Sequence, residues 1–225
     1  MNEKQIAAEK SVEFIKEKMT VGLGSGSTAK FMIKKVGELV KQGLDIKCIS
    51  TSNETTSLSL SLGIPLVSID DIDEIDLTID GADEIDPGFN GIKGGGGALL
   101  FEKIIAASSK KIIWVVDSTK VVNKLGKYPL PVEVLRFGYK LTLKKLDQLG
   151  YNPVIRSKNN KMFLTDSNNY IIDLHLERID NPFSLEKELN MIPGVVENGL
   201  FINKADVVIV GRNNNVEVLK NERKA

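Results

Sequence analysis

The chain has 225 residues, and its 30 Lys and Arg are balanced by 30 Asp and Glu, so it carries no net charge at pH 7. That length can bury one large or two small cores, and the balanced charge excludes a bulk attraction to nucleic acid or to an anionic membrane. The single cysteine, Cys48, excludes an internal disulfide and fits a reducing compartment. From Met1 to Lys18 the charges Glu3, Lys4, Glu9, Lys10 and Glu13 break any apolar core a signal peptide would need, and no apolar run is long enough to span a bilayer. A soluble cytoplasmic protein is therefore expected.

From Glu3 to Lys18 the apolar residues recur at close to helical spacing. Thr20 to Leu23 reads as a strand entering the turn Gly22-Leu23-Gly24-Ser25-Gly26-Ser27-Thr28, where Ser27 or Thr28 can cap a helix that runs to about Val40. Ile46 to Ile49 is a second strand, followed by the polar run Ser50 to Asn53 and a helix from Glu54 to Leu62. Ile64 to Val67 holds Pro65 and is at most an edge strand. Glu74 to Ile79 delivers Asp80 to a strand end, Ala98 to Ser109 is helical, and Lys111 to Val116 is a buried strand. Strands alternating with helices imply right-handed crossovers and a mainly parallel sheet, whose sites form at the C-terminal strand ends. The Gly22 turn, the Ser50 run, Asp80 and Asp117 would share that rim.

Beyond Pro129 and Pro131 the pattern changes. Val132 onward reads as strand, helix (Leu141 to Leu149), strand (Asn152 to Arg156), then Met162 to Thr165 and Tyr170 to Leu176 about an Asn168-Asn169 turn. A helix from Ser184 to Asn190 follows. This is an α+β pattern with antiparallel pairing. Ala205 to Val210 reads as a buried strand returning to the first sheet. The basic run Lys220 to Lys224 reads as a solvated tail.

Chemistry concentrates in two short stretches, Asp80-Gly81-Ala82-Asp83 and Lys93-Gly94-Gly95-Gly96-Gly97, followed by Glu102. Carboxylates, an ammonium and flexible backbone amides are the parts that move protons on a carbonyl compound without a metal or organic cofactor. The hydroxyl-rich Gly22 turn at a helix start suits a phosphate. It is a poor dinucleotide fingerprint: Ser27 stands where a third glycine belongs, and the next strand ends in Ser50-Thr51-Ser52 rather than an acid. The acidic stretch Asp70 to Asp86 is no calcium loop, because Pro87 takes the place of the bidentate Glu. His175 is the only histidine, so no histidine pair offers a metal site, and Cys48 reads as buried and inert. An enzyme acting on a small phosphorylated carbonyl compound is the reading these parts support. The rivals are a non-catalytic sugar-phosphate sensor, which could dispense with Glu102 and Lys93, and a nicotinamide-dependent dehydrogenase.

The ordered set of these motifs, with Glu102-Lys103-Ile104-Ile105, Asp117-Ser118-Thr119-Lys120, Leu125 to Val134 and Ile192-Pro193-Gly194-Val195-Val196, closely resembles ribose-5-phosphate isomerase type A over nearly the whole chain. The resemblance implies a Rossmann-like, mainly parallel α/β domain (1–127 and 200–225) with a smaller inserted α+β, ferredoxin-like domain (128–199). It implies interconversion of ribose 5-phosphate and ribulose 5-phosphate, in the non-oxidative branch of the pentose phosphate pathway, with no cofactor and no required metal. Carried over by position, Glu102 matches the catalytic base, Asp80 and Asp83 the substrate-contacting aspartates, and Lys93 and Lys120 the pocket lysines. Ser25, Gly26, Ser27 and Thr28 match the sugar-phosphate loop, Lys4 a lysine reaching the phosphate, and Gly81, Ala82, Gly94, Gly95 and Gly96 line the same substrate. Two positions depart from the family: Ser25 where Thr is frequent, and Gly97 where Ala is frequent. The resemblance also implies a homodimer or homotetramer, with neither nucleic acid nor membrane as a partner.

Overall fold

The computed structural model describes residues 2–222, so Arg223 and Lys224 of the basic run lie outside the described residues. In chain order the elements are α1 (Glu3–Ser11), β1 (Thr20–Leu23), α2 (Gly26–Lys41), β2 (Lys47–Ser50), α3 (Asn53–Ser61), β3 (Leu77–Asp80), β4 (Glu84–Ile85) and β5 (Gly91–Ile92). Then come α4 (Leu99–Ala107), β6 (Ile112–Asp117), β7 (Leu130–Val134), α5 (Tyr139–Gln148), β8 (Pro153–Ile155), β9 (Ser157–Lys158), β10 (Lys161–Met162) and β11 (Tyr170–Leu174). The chain closes with α6 (Pro182–Asn190), β12 (Val195–Asn198), β13 (Leu200–Phe201), β14 (Val207–Arg212) and β15 (Asn215–Lys220).

Contacts divide the chain into two units. One holds the chain up to Ala82, Phe101–Val121, and the chain from Lys204 onward; the other holds Asp83–Leu100 and Val122–Asn203.

The first unit is built on one sheet of six strands in the order β15-β14-β6-β3-β1-β2. Every neighbouring pair is parallel except β14 with β15. Strand order reverses between β1 and β3, which makes their C-terminal ends the switch point where α/β sheets bind ligands. Successive strand residues point to opposite faces, and the core divides accordingly. Cys48 of β2 packs in the cluster of Ala7 and Ala8 from α1 and Ala29, Met32, Ile33 and Val36 from α2. Its neighbour Ile49 packs with Ile105 of α4. Helices thus cover both faces, and a strand buried on both faces reads as the continuous apolar run seen in β6.

The expected strand at 205–210 is present as β14, back in the first sheet. Two expectations need correction, on the first helix and on the cap of α2. The first helix stops at Ser11 and passes into a 3-10 turn at Val12–Phe14, where the Ser11 hydroxyl donates to the Ala8 carbonyl and competes with the helical ladder. Ile64 to Val67, expected to be at most an edge strand, makes an isolated bridge to the outer side of β2, Cys48 to Leu66, with Pro65 having no N–H to give. The cap of α2 is Ser25, not Ser27 or Thr28, and its hydroxyl caps nothing in that helix.

In the second unit four antiparallel strands run in the order β12-β7-β11-β8. With α5 after β7 and α6 after β11, this is the βαββαβ arrangement of ferredoxin-like sheets. Its apolar side gathers Val132, Val134, Ile172 and Leu174 with Leu146 of α5 and Leu189 of α6. A further sheet, β13-β5-β4, pairs Leu200 with Ile92 and Glu84 with Ile92. That pairing explains why residues 83–100, 122–127 and 200–203 group with this unit rather than with the 1–127 and 200–225 range expected from the sequence.

Candidate active site

The loop after β1 and the end of β3 meet in the first unit. Asp80, 2% exposed, accepts on one oxygen from the Ser25 amide at 2.9 Å and from its neighbour Gly81 at 2.7 Å. This approach requires Gly24, because a Cβ there would lie 2.5 Å from the Asp80 Cα. The Ser25 hydroxyl bonds Thr51 at 2.6 Å and Ser52 at 2.9 Å, and Thr55 donates to the Gly24 carbonyl at 3.0 Å. The start of α3 therefore braces the loop through hydroxyls, which leaves Gly26, Ser27 and Thr28 as the first turn of α2, whose amides have no intrahelical acceptor.

Lys4 reaches this turn from α1. Its ammonium donates to Ser27 Oγ at 3.0 Å and lies 4.0 Å from an Asp117 oxygen. Glu3 anchors the helix by accepting from the Ser118 amide at 3.1 Å and hydroxyl at 2.7 Å, and these bonds hold its own carboxyl below the usual range. Asp117 caps the short turn Ser118–Lys120, accepting from the Thr119 amide at 3.0 Å, and so sets the position of Lys120. Glu102, 5% exposed, occupies the first turn of α4. Gly81 and Ala82 follow Asp80 as the last residues of this segment of the unit.

Asp83, Lys93 and the glycine run belong to the second unit. Gly94 and Gly97 have φ of +99° and +85°, and the Gly97 amide donates to the Gly94 carbonyl at 2.9 Å, closing a tight turn. Asp83 accepts from the Gly95 amide at 2.8 Å. Lys93 is 3% exposed, with its amide on the Gly199 carbonyl at 2.9 Å and its ammonium 5.3 Å from the Phe201 ring centre. Glu84 accepts from the Gly126 and Tyr128 amides at 2.7 and 2.8 Å, which fixes Tyr128. Burial, then the Asp83 charge, push the Tyr128 phenol up. At Gly97 a Cβ would lie 2.5 Å from the Phe163 Cζ and nearer still to its Cε1, so the Phe163 ring occupies the space a methyl would take.

Sequence reasoning did not single out Tyr128, Phe163, or the pair Arg156 and Asp173, joined by two hydrogen bonds of 2.8 and 2.5 Å. No spacing motif marks them; only the pairing of β8 with β11 makes Arg156 and Asp173 neighbours. Among the described residues no group of three or more His, Cys, Asp or Glu is arranged to hold a metal ion. Burial pushes the Cys48 thiol up to about 12, which leaves it unreactive at neutral pH. A cavity of about 310 Å³ lined by residues such as Ile49, Val67, Phe101 and Ile104 has no charged lining residue, so it is not built for a phosphate.

The sequence pattern of the family described as Ribose 5-phosphate isomerase A (phosphoriboisomerase A) matches residues 47–215. The chain belongs to the ribose 5-phosphate isomerase A family. Relatives bearing that name include one from Lactiplantibacillus plantarum, 50% identical over 96% of both chains, and one from Limosilactobacillus reuteri, 51% identical over 96% of both. Among solved structures, a D-ribose-5-phosphate isomerase in complex with phospho-erythronic acid has a TM-score of 0.94 at 41% identity, covering 98% of this chain and 100% of that one. Ribose 5-phosphate isomerase from Plasmodium falciparum has a TM-score of 0.93 at 37% identity, covering 97% and 98%. The expected fold class, a Rossmann-like parallel sheet with a smaller α+β part, is that of the ribose-5-phosphate isomerase A structures. Their names favour an enzyme over a sensor module.

Proposed function

We propose that this chain interconverts D-ribose 5-phosphate and D-ribulose 5-phosphate with Glu102 as the base. Glu102 takes the proton from C2 of the open-chain aldose, giving an enediolate, and returns it to C1, while the hydroxyl proton passes from O2 to O1. Lys93 and the amides of Gly94 and Gly96 stabilise the oxyanion, a kind of contact typically worth about 3–4 kcal/mol each, while the Gly95 amide is given to Asp83 and the Gly97 amide to the Gly94 carbonyl. Asp80 opens the furanose, and Asp83 holds the sugar hydroxyls. Lys4, Ser27, Thr28 and Lys120 take the phosphate end. No step of this scheme calls for a metal or a cofactor.

The observation that carries the reading is the switch-point geometry of the first unit. A buried carboxylate, Asp80, ends one strand, and beside it a helix N-terminus carries Ser27 with the Lys4 ammonium at 3.0 Å. That combination accepts an anion and offers a proton acceptor close by. Roles for Asp83, Lys93 and Glu102 follow from the family resemblance. The same resemblance supports a homodimer or homotetramer and a place in the non-oxidative pentose phosphate branch. Among the described residues no helix is long and apolar enough to cross a membrane.

Glu102→Gln tests the assignment. Glutamine keeps the shape but cannot accept the C2 proton, so turnover should fall about 10²–10⁴-fold with KM little changed. Turnover within a few-fold of the wild type would remove Glu102 from the mechanism.

A further inference from the structure

We propose that Arg156 is a positioning residue for the isomerisation, fixing the peptide planes of the glycine turn so that the Gly95 amide stays on Asp83 and the Gly96 amide faces away from the guanidinium. The inference rests on the reading that this turn receives the developing oxyanion. Asp173 grips the guanidinium as a fork, accepting from Nε at 2.8 Å and from Nη2 at 2.5 Å, with both side chains under one-fifth exposed. The remaining nitrogen, Nη1, donates to the Gly94 carbonyl at 2.9 Å and the Gly95 carbonyl at 3.1 Å. The Phe163 ring lies 5.8 Å from the guanidinium carbon and completes the seat.

In a trans peptide the carbonyl and the next amide point in opposite directions. A Gly94 carbonyl turned to Arg156 must send the Gly95 amide the other way, and that amide does donate to Asp83, at 2.8 Å. The same rule sends the Gly96 amide away from the guanidinium. Four consecutive glycines have more backbone freedom than any other residues, whereas oxyanion donors help only if they are held before the charge develops. A cation on the two carbonyls supplies that restraint. It also polarises both peptides, which strengthens their amides as donors. Lysine would keep the charge but not the fork that reaches Asp173 and two carbonyls at once.

The experiment is steady-state kinetics of Arg156→Met, Arg156→Lys and Asp173→Asn, with phospho-erythronic acid, whose carboxylate mimics the enediolate, as inhibitor. A displacement of about 1 Å at a reacting centre costs about 10²-fold, so Arg156→Met should lower kcat by that order with KM within about threefold. Inhibitor binding should weaken more than substrate binding, and Arg156→Lys should recover part of the loss. If the methionine variant does not fold, Arg156→Lys and Asp173→Asn carry the same expectation of a kcat loss without a KM change. A folded variant with kcat within threefold of the wild type, or with a raised KM alone, overturns the proposal. A crystal structure of the wild type with the inhibitor separates the two ideas. A carboxylate bound away from the Gly94 and Gly96 amides overturns the oxyanion reading. A carboxylate on those amides, with unchanged kcat in Arg156→Met, overturns only the role of Arg156.

Discussion

Replacing Lys4 by Met should weaken substrate binding while sparing the chemistry. The ammonium donates to Ser27 Oγ at 3.0 Å, lies 4.0 Å from Asp117, and belongs to a side chain 32% exposed. A hydrogen bond between charged groups nets about 1.5–3 kcal/mol, and this exposure puts Lys4 at the lower end, about 1.5 kcal/mol. Its loss also leaves the Asp117 carboxylate to repel the phosphate. At the water-like dielectric of a partly exposed site, a pair of unit charges about 4 Å apart is worth about 1 kcal/mol, so a more distant phosphate adds at most that much. The sum, about 1.5–2.5 kcal/mol, is about a 10- to 60-fold rise in KM. The phosphate is remote from C1 and C2, so kcat should stay within about threefold. The assay is the rate of ketose formation against ribose 5-phosphate concentration at low and high salt, and the difference in KM should shrink with salt. Adding Asp117→Asn should recover a few-fold, since asparagine keeps the oxygen that caps Thr119. A KM rise below twofold, or a tenfold loss of kcat at constant KM, would show that Lys4 does not hold the phosphate.

Asp80→Asn should impair turnover of the cyclic aldose far more than deuterium exchange into the ketose, which cannot close a ring through its phosphate-bearing C5 oxygen; equal losses by NMR would place Asp80 in enolisation itself. Gly24→Ala forces its methyl against the Asp80 backbone, so it should cost about 1–3 kcal/mol in urea unfolding and raise KM. An unchanged midpoint would mean that the two strand ends can separate freely. Burial, more than its acidic neighbours Glu197 and Asp166, pushes the Glu133 carboxyl above its ordinary 4.5. The folded state then holds a proton the unfolded chain releases, so this contribution is complete below the ordinary value and is lost as pH rises through the raised one. Glu133→Gln should therefore gain stability relative to the wild type as pH rises from about 4 to 8, and a pH-independent difference in urea midpoints would refute this.

What could be read from the sequence was what has a period or a motif. β1, β3, β6 and β14 are short apolar runs between helical ones, and their order alone places Asp80 and the Gly22 turn on one rim. β4, β5 and β13 leave no mark in the sequence, because two residues carry no period and Gly91 meets Phe201 across about half the chain. The end of α1 is not legible in the sequence because apolar spacing continues through Val12 and Ile15 after the helical ladder has ended. The glycine run was recognised, but not what holds it. Arg156 is a lone cation after a strand, and its meaning depends on a β8–β11 register that the sequence does not print.

The Phe163 ring standing where a methyl on Gly97 would be has a consequence for how this sequence can change. The two positions form a lock that opens in only one order. From a chain with alanine at 97 and a smaller residue at 163, the methyl must leave first, because an aromatic arriving beside it has no room. Going back, the ring must leave before the methyl returns. Each double change has one passable intermediate, with glycine and the small residue together, and one blocked one. Alanine at position 97 is therefore closed to this chain while Phe163 stands beside it, and the φ of +85° strains it besides, so changing position 97 without position 163 will misjudge both.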